Sequence, residues 1–442
     1  MVMSRADVLE LANDVLIPGW QQTRRHLDEI DKWHRWQPNE LREMVPNYAD
    51  NEHRALARIS ETPILSLVVT TVSQQLVAEA FRSERSEQET AQVVAPWLRN
   101  RFHSRQRAVY RGALAYGYSY VTAMPGDSGA VLRGRSPRDL FAVYGDVVED
   151  EYPMYYLLAR GDLRHIVDEE AVYILGDDNG KVEYIEDRRH DVGVPPAVRY
   201  SNQIDLEGRT PGEVEPYVQN AQRLNKTIYD RMLVQHFNSW KVRTATGLTE
   251  PKDEAEAERI KLLLRHNDIL TGEDGVEFGT LDETSPDGLI NATDAELKIL
   301  AIISQTPVHA LTGNLVNLSA DAIAEARATA DLKVAERKVG FGDSNEQLLR
   351  LAAHIEGREE DAADFTLRTD WADLQSRSMN QAADALGKMA TMLKIPVELL
   401  WDRIPGVTPQ IAKAWREYRE KNPSAEEQLA AALNAQSNGV NG

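Results

Sequence analysis

The densest group of side chains able to do acid–base or metal chemistry is Asp146, Glu149, Asp150 and Glu151, in "GDVVEDE". Carboxylates this close can hold a divalent cation or meet a basic partner, and a solvated loop accounts for them equally. The ten histidines are scattered. "HDVGVPP" (190–196) and "RHLDEIDKWH" (25–34) set carboxylates beside imidazoles, but no spacing recurs that would assemble a metal site. There is no cysteine, which excludes a thiolate nucleophile, a cysteine-based zinc site and a disulfide framework. Neither a phosphate-binding G-x-x-x-x-G-K-[ST] loop, nor a G-x-S-x-G elbow, nor an H-E-x-x-H helix occurs. "VGFGDS" (339–344) has two glycines but follows a helical pattern and lacks a third, so a helix break is expected there. These residues point to no enzyme, no cofactor and no metal.

The formal net charge of −20 argues in the same direction. A protein that grips DNA by its phosphates needs basic surface. An acidic surface serves solubility, or lets a polyanion pass without sticking. At 442 residues, two or more structural units are expected. The longest apolar stretch, "ILSLVV" (64–69), is far below the roughly 20 residues that span a bilayer. The first residues, "MVMSRADVLELAND", do not read as a signal peptide, so no membrane association is expected.

The elements follow from periodicity. Residues 4–60 read as helical, with Ser4 as N-cap and Asp7 three residues on. Trp20, Trp33 and Trp36 are expected to anchor helix–helix contacts. Residues 62–82 read as one helix with Thr62 as cap and Pro63 at the first position. Residues 87–117 read as helix ending near Gly117. Between 118 and 200, short β-like runs separated by turns such as "PGDSG" and "DDNG" predict a mostly antiparallel sheet unit. A helix follows within 213–240, with Pro216 in its first turn. Within 241–290, "KVRTATGL" and "VEFGTLDETSPDG" suggest strands and "DEAEAERIKLLLRH" a short helix. A second helix spans 294–305. A strand-like "DFTLRTDW" (364–371), a helix over 374–393 and a polar tail close the chain.

One stretch stands apart in a chain of which 27% is charged. From Pro307 to Leu318, "PVHALTGNLVNL" has no formal charge with His309 neutral. It leads into an Ala-rich helix from Ser319. Gly313, Asn314 and Asn317 allow the backbone conformations a moving loop needs. Alanines at alternate positions from 320 to 330 would let identical helices approach closely.

"TPILSLVVTTVSQQLVAEAF" (62–81), "AYGYSYVTA" (115–123), "SPRDLFAVYGD" (136–146), "VPPAVRYSN" (194–202), "VQNAQRLNKTIYDRML" (218–233) and "IISQTPVHALTGNLVNLSADAIAEARATADLKVAERKVGFGD" (302–343) occur in an order and spacing that resembles the portal proteins of tailed double-stranded-DNA bacteriophages, the SPP1-type group with its actinobacteriophage relatives. The resemblance covers roughly 60–420 and is weakest over 241–290.

It implies an α+β, predominantly α-helical portal fold that assembles as a ring, typically twelve-fold, at one capsid vertex of the virion, built in the host cytoplasm. Double-stranded DNA would pass through during packaging and ejection. Implied partners are the terminase large subunit, the head–tail connector, and the major capsid and scaffolding proteins. The parts would be a wing (1–205), a first stem helix (206–240), a clip (241–290), a second stem helix (291–306), a tunnel loop (307–318), a kinked helix returning to the wing (319–371), a crown (372–430) and a tail (431–442). Val308, His309, Leu311, Thr312, Gly313, Asn314, Leu315, Val316 and Asn317 would face the DNA channel. A capsid-associated scaffolding or adaptor protein, or a carboxylate-based hydrolase, are the alternative readings.

Overall fold

The computed structural model describes residues 2–35, 51–85, 87–178, 181–238, 243–246, 277–280, 285–313, 320–372, 379–404, 406–407 and 409–422. Trp36, the helix expected over 253–266, Asn314 to Asn317 and the tail from 431 lie outside the described residues. The chain forms two units, 1–372 and 373–442.

Ser4 and Asp7 form the expected capping box, each side chain reaching the other's backbone N–H. The helix they start, α1 (Arg5–Leu11), runs through a π-helical turn (Ala12–Leu16) into α2 (Ile17–Arg35). Trp33 is buried in the main core. Trp20 instead anchors its helix on a sheet, packing with Leu157, Ile166 and Tyr173 and donating from Nε1 to the Arg138 carbonyl at 2.9 Å.

After α3 (Asn51–Ser60) comes α4 (Ile64–Ser73), whose Ile64, Leu65, Val68, Val69 and Val72 are all buried. The helix expected over 62–82 therefore stops early, and Ala78–Arg82 is strand β1. The cause is tertiary. The Gln106 amide takes the place of a neighbouring strand, accepting from Ala78 N at 2.9 Å and donating to Ala78 O at 3.1 Å. The expected helix over 87–117 is likewise two, α5 (Glu87–Arg99) and α6 (Phe102–Tyr116), separated at Arg101, whose φ is +51°. Gly117 ends α6 as expected, with φ +94°.

The β unit comprises β2 (Tyr118–Met124), β3 (Val131–Arg135), β4 (Leu140–Val143), β5 (Tyr155–Arg160), β6 (Leu163–Val167), β7 (Ala171–Asp178), β8 (Lys181–Arg189) and β9 (Ala197–Ser201). They form a three-stranded sheet, β3-β2-β9, and a five-stranded sheet, β4-β5-β6-β7-β8, with every pairing antiparallel. β6 is a strand that the sequence pattern does not predict. "DDNG" does join a hairpin, whose register ends at Asp178 opposite Lys181. One face of the five-stranded sheet packs on α1 and α2. Its other face meets the three-stranded sheet through Tyr120, Leu140, Tyr156 and Leu158.

A 3-10 turn holding Pro216 (Glu215–Tyr217) opens α7 (Val218–Asn238). Next come β10 (Arg243–Thr246) and β11 (Glu277–Thr280), paired antiparallel, then α8 (Asp287–Ile303). Tyr217 OH donates to Ile303 O at 3.3 Å and Arg223 Nη2 to Glu296 Oε2 at 2.9 Å. The falling partner numbers make α7 and α8 antiparallel. A single helical turn, α9 (Val308–Thr312), precedes α10 (Ala320–Ile355), α11 (Glu359–Ala362) and β12 (Arg368–Trp371), which pairs with β1.

The helix break expected at 340–343 does not occur. α10 runs through Gly340 and Gly342 without interruption. Each glycine costs about 1 kcal/mol relative to alanine in a helix interior. Here both lie against neighbouring strands: a Cβ would stand 3.9 Å from Ser201 O at Gly340 and 3.7 Å from Thr369 Cβ at Gly342. Phe341 between them is fully buried and stacks on Tyr110 at 5.1 Å. Burying one such side chain contributes roughly 1.5–3 kcal/mol, enough to offset the helix penalty.

The second unit holds α12 (Met379–Met392), two 3-10 turns (Val397–Leu399 and Trp401–Arg403) and α13 (Pro409–Lys421). Trp401 meets Trp415 edge to face at 6.0 Å, and Arg416 pairs with Asp402.

Candidate functional site

The charge-free stretch begins where α8 ends. Ser304 N still reaches Leu300 O at 2.9 Å, but Gln305 turns to φ +52° and Thr306 N reaches back to Ala301 O at 2.9 Å. Pro307, with φ −56° and ψ 128°, carries the chain out of the helix. The stretch is not loop throughout. Val308 to Thr312 make one helical turn, closed by Gly313 N to His309 O at 3.0 Å and by Thr312 Oγ1 to Val308 O at 3.0 Å. Gly313 has φ +71°, with nothing within 4 Å of where a Cβ would be. Glycine is therefore favoured there by backbone conformation and not by space.

Val308 is exposed, His309 and Thr312 are half-buried, and Leu311 packs against the main core. One side chain thus tethers the turn while others face outward. Asn314, Leu315, Val316 and Asn317 lie outside the described residues.

Beneath this turn lies an ionic cluster that no sequence motif announces. Lys333, on α10, donates from Nζ to Glu213 Oε2 at 2.5 Å and to Ser304 O at 2.8 Å. Arg337, one helical turn on, donates from Nη2 to Glu213 Oε1 and to Gln203 Oε1, both at 3.3 Å. Asn202 Nδ2 donates to Glu213 Oε1 at 3.3 Å. The side chains of Lys333, Glu213 and Arg337 are 3%, 3% and 5% exposed. Burial lowers the Lys333 ammonium, and the Glu213 carboxylate opposes that shift.

The cluster joins three elements at one point. Glu213 stands just before α7, Ser304 ends α8, and Lys333 and Arg337 belong to α10. Lys333 also caps a carbonyl at the negative end of α8, where a cation is favoured. The only sequence sign is the i,i+4 spacing of Lys333 and Arg337, which puts them on one helix face.

Exposed apolar residues surround this region. Ile302 on α8 and Leu332 and Val339 on α10 are 71%, 72% and 66% exposed. Ala330 is buried within the chain, whereas Ala328 is exposed.

Three of the four carboxylates considered for chemistry make structural contacts. Asp146 Oδ1 accepts from Val148 N at 2.8 Å, and Asp150 Oδ2 accepts from Asp146 N at 2.7 Å, so the pair builds a turn. Glu151 binds Arg350 at 2.9 Å. His190 lies in another loop, its Nε2 at 3.0 Å from Asp168 O. His34 is packed against Tyr116, and burial lowers its pKa. Among the described residues no three metal-binding side chains converge.

Solved structures similar to this chain match it at low identity. Two are necks of a gene transfer agent particle: the empty particle with C6 symmetry (TM-score 0.47, 14% identity) and the native particle with C12 symmetry (TM-score 0.45, 14% identity). Another is the virion of a native gene transfer agent particle (TM-score 0.43, 13% identity). Each match covers 80% of this chain and 96% of the other. Comparison with curated proteins returned no match. The sequence profile of the family "Phage portal protein, SPP1 Gp6-like" matches residues 13–425, nearly the whole chain. The chain belongs to that phage portal protein family.

Proposed function

We propose that twelve copies of this chain form a ring at one vertex of a virion, through which double-stranded DNA is packaged and later ejected. The family match over residues 13–425 carries the reading. The chain is a conduit and has no catalytic activity of its own. The antiparallel pair α7 and α8 serves as the stem. The segment 241–290 between them, with its β10–β11 ladder, serves as the clip that docks the terminase large subunit during packaging and the head–tail connector afterwards. Residues 307–318 serve as the tunnel loop, with Val308, His309, Leu311, Thr312, Gly313, Asn314, Leu315, Val316 and Asn317 around the DNA path. Residues 372–430 serve as the crown, and 1–205 as the wing facing the major capsid and scaffolding proteins.

Three observations support this assignment. The stretch from Pro307 to Gly313 carries no fixed charge, so it neither clamps phosphates nor repels them strongly. Gly313 gives the chain a left-handed turn where the loop leaves the helical turn. The exposed apolar side chains of α8 and α10 are the kind that neighbouring copies cover in a ring.

Deleting 308–317 is the test. Rings should still form, because the Lys333 cluster is untouched and the main core loses the partly buried Leu311 but none of its described buried residues, while DNA packaging into capsids should fall sharply. Packaging at the wild-type level would remove the tunnel-loop assignment.

A further inference from the structure

The two sheets of the β unit face each other across a cleft. On β2 and β3, Thr122 pairs with Arg133 and Tyr120 with Arg135, so these side chains share one face. On β5 and β6, Leu158 pairs with His165 and Tyr156 with Val167, which sets a second face against the first. The deep end is closed by Tyr120, Tyr156, Leu158 and Val167. The mouth is a cavity of about 220 Å³, bordered by Arg133, Arg135, Arg160 and His165 over an apolar floor that includes Met124 and Leu158.

The chain has 70 acidic and 50 basic residues, yet the acids are missing from this mouth. Among the described residues, no carboxylate lies within 4.0 Å of Arg133, Arg135 or Arg160. Among those residues Arg135 donates to Thr122 Oγ1, at 3.3 Å, and Asp139 acts on it from farther away. His165 Nε2 is buried without a hydrogen-bond partner. The three guanidiniums repel one another, and burial together with Arg160 and Arg133 lowers the pKa of Arg135. In a protein of net charge −20, exposed Arg133 and Arg160 and half-buried Arg135 cluster without an ion-paired carboxylate beside the half-buried His165, a grouping that suits an anionic partner.

The chemistry of the anion follows from the floor. Guanidinium forks match carboxylates in bidentate geometry. A phosphate would leave the apolar floor unused, and a nucleic-acid duplex is too wide to enter. We propose that this cleft binds an acidic peptide segment of a protein partner, with its carboxylates on Arg133, Arg135 and Arg160 and an aliphatic side chain on the Met124–Leu158 floor. The site is independent of the channel reading.

The full-length protein is titrated with a fluorescein-labelled, end-blocked Glu-Val-Glu-Val-Glu peptide, and binding is read by anisotropy at low salt. Saturable binding is expected, at least tenfold weaker for Arg133→Ala and for Arg160→Ala. Both side chains are exposed, so these variants keep the fold. Arg160→Lys, which keeps the charge and loses the fork, should be intermediate. Arg209→Ala, on an exposed loop beside Asp205 and Glu207, should bind like the wild type. A Gln-Val-Gln-Val-Gln peptide should not bind. The proposal is overturned if the acidic peptide does not bind, if Arg209→Ala weakens binding as much as Arg160→Ala, or if inorganic phosphate or a single-stranded oligonucleotide displaces the peptide at lower concentration than unlabelled peptide does.

Discussion

Lys333 and Glu213, 120 residues apart, meet at 2.5 Å with neither side chain more than 3% exposed. Their contact ties the long helix α10 to the root of α7 and α8, because the same ammonium holds Ser304 O at 2.8 Å. Removing one partner of a buried pair strands the other charge and costs about 3–5 kcal/mol. Glu213→Gln, which strands both Lys333 and Arg337, should lower stability by that order in denaturant unfolding, and Lys333→Met by less, because Arg337 still pairs with Glu213. The double variant should lose less than the sum of the two, because Lys333 is no longer stranded, although Arg337 still faces the vacated Glu213 position. Additive losses would show that the pair is uncoupled.

Gly117 and Gly112 make an internal contrast. A Cβ at Gly117 would stand 1.9 Å from Thr210 O, and its φ is +94°. Gly117→Ala should cost more than about 3 kcal/mol, through clash and strain together. At Gly112, inside α6, the nearest atom would be Ser119 Cβ at an ordinary 3.5 Å. Gly112→Ala should therefore stabilise by about 0.5–1 kcal/mol. Melting curves of the two variants decide the matter, and equal effects would contradict the geometry.

Gly313 should behave differently again. Its φ of +71° asks for a left-handed backbone, but open space surrounds it. Asparagine enters that region at small cost and β-branched residues do not. Gly313→Asn should support near wild-type DNA packaging and Gly313→Val should not, while both leave global unfolding within about 1 kcal/mol of wild type. Equal packaging by both variants would show that the loop does not use this conformation.

The aromatic core makes an alkaline prediction. Burial raises the phenols of Tyr110, Tyr120, Tyr156 and Tyr200 above their ordinary value. Tyr116 is pushed up to about 12, by burial first and then by its hydrogen bond to Asp31. A folded pKa above the unfolded value of 10.0 stabilises the fold fully below pH 10, and that stability is lost as pH rises toward the folded value. Phenolate absorbance from the buried tyrosines should rise only as the protein unfolds. All fifteen tyrosines titrating together near pH 10 in a folded protein would contradict this.

Local signals are legible in the sequence and long-range ones are not. The Ser4–Asp7 cap, the strand Tyr118–Met124 and the stop at Gly117 depend on neighbours a few residues away, and all three stand where the residues put them. The end of α4 and the start of β1 depend on Gln106, 28 residues on from Ala78, so periodicity alone carries the helix too far. Gly340 and Gly342 look like a break in isolation but lie inside α10, where Phe341 between them is buried against Tyr110, a residue more than 200 positions away. In the candidate site, the missing charge between Pro307 and Leu318 is visible in the sequence. The ionic cluster beneath it is not, because Glu213 and Lys333 become neighbours only in the fold.

Electron microscopy of the purified protein tests the channel most directly. Class averages should show closed rings of twelve subunits around an open central hole. A protein that stays strictly monomeric at high concentration would contradict it.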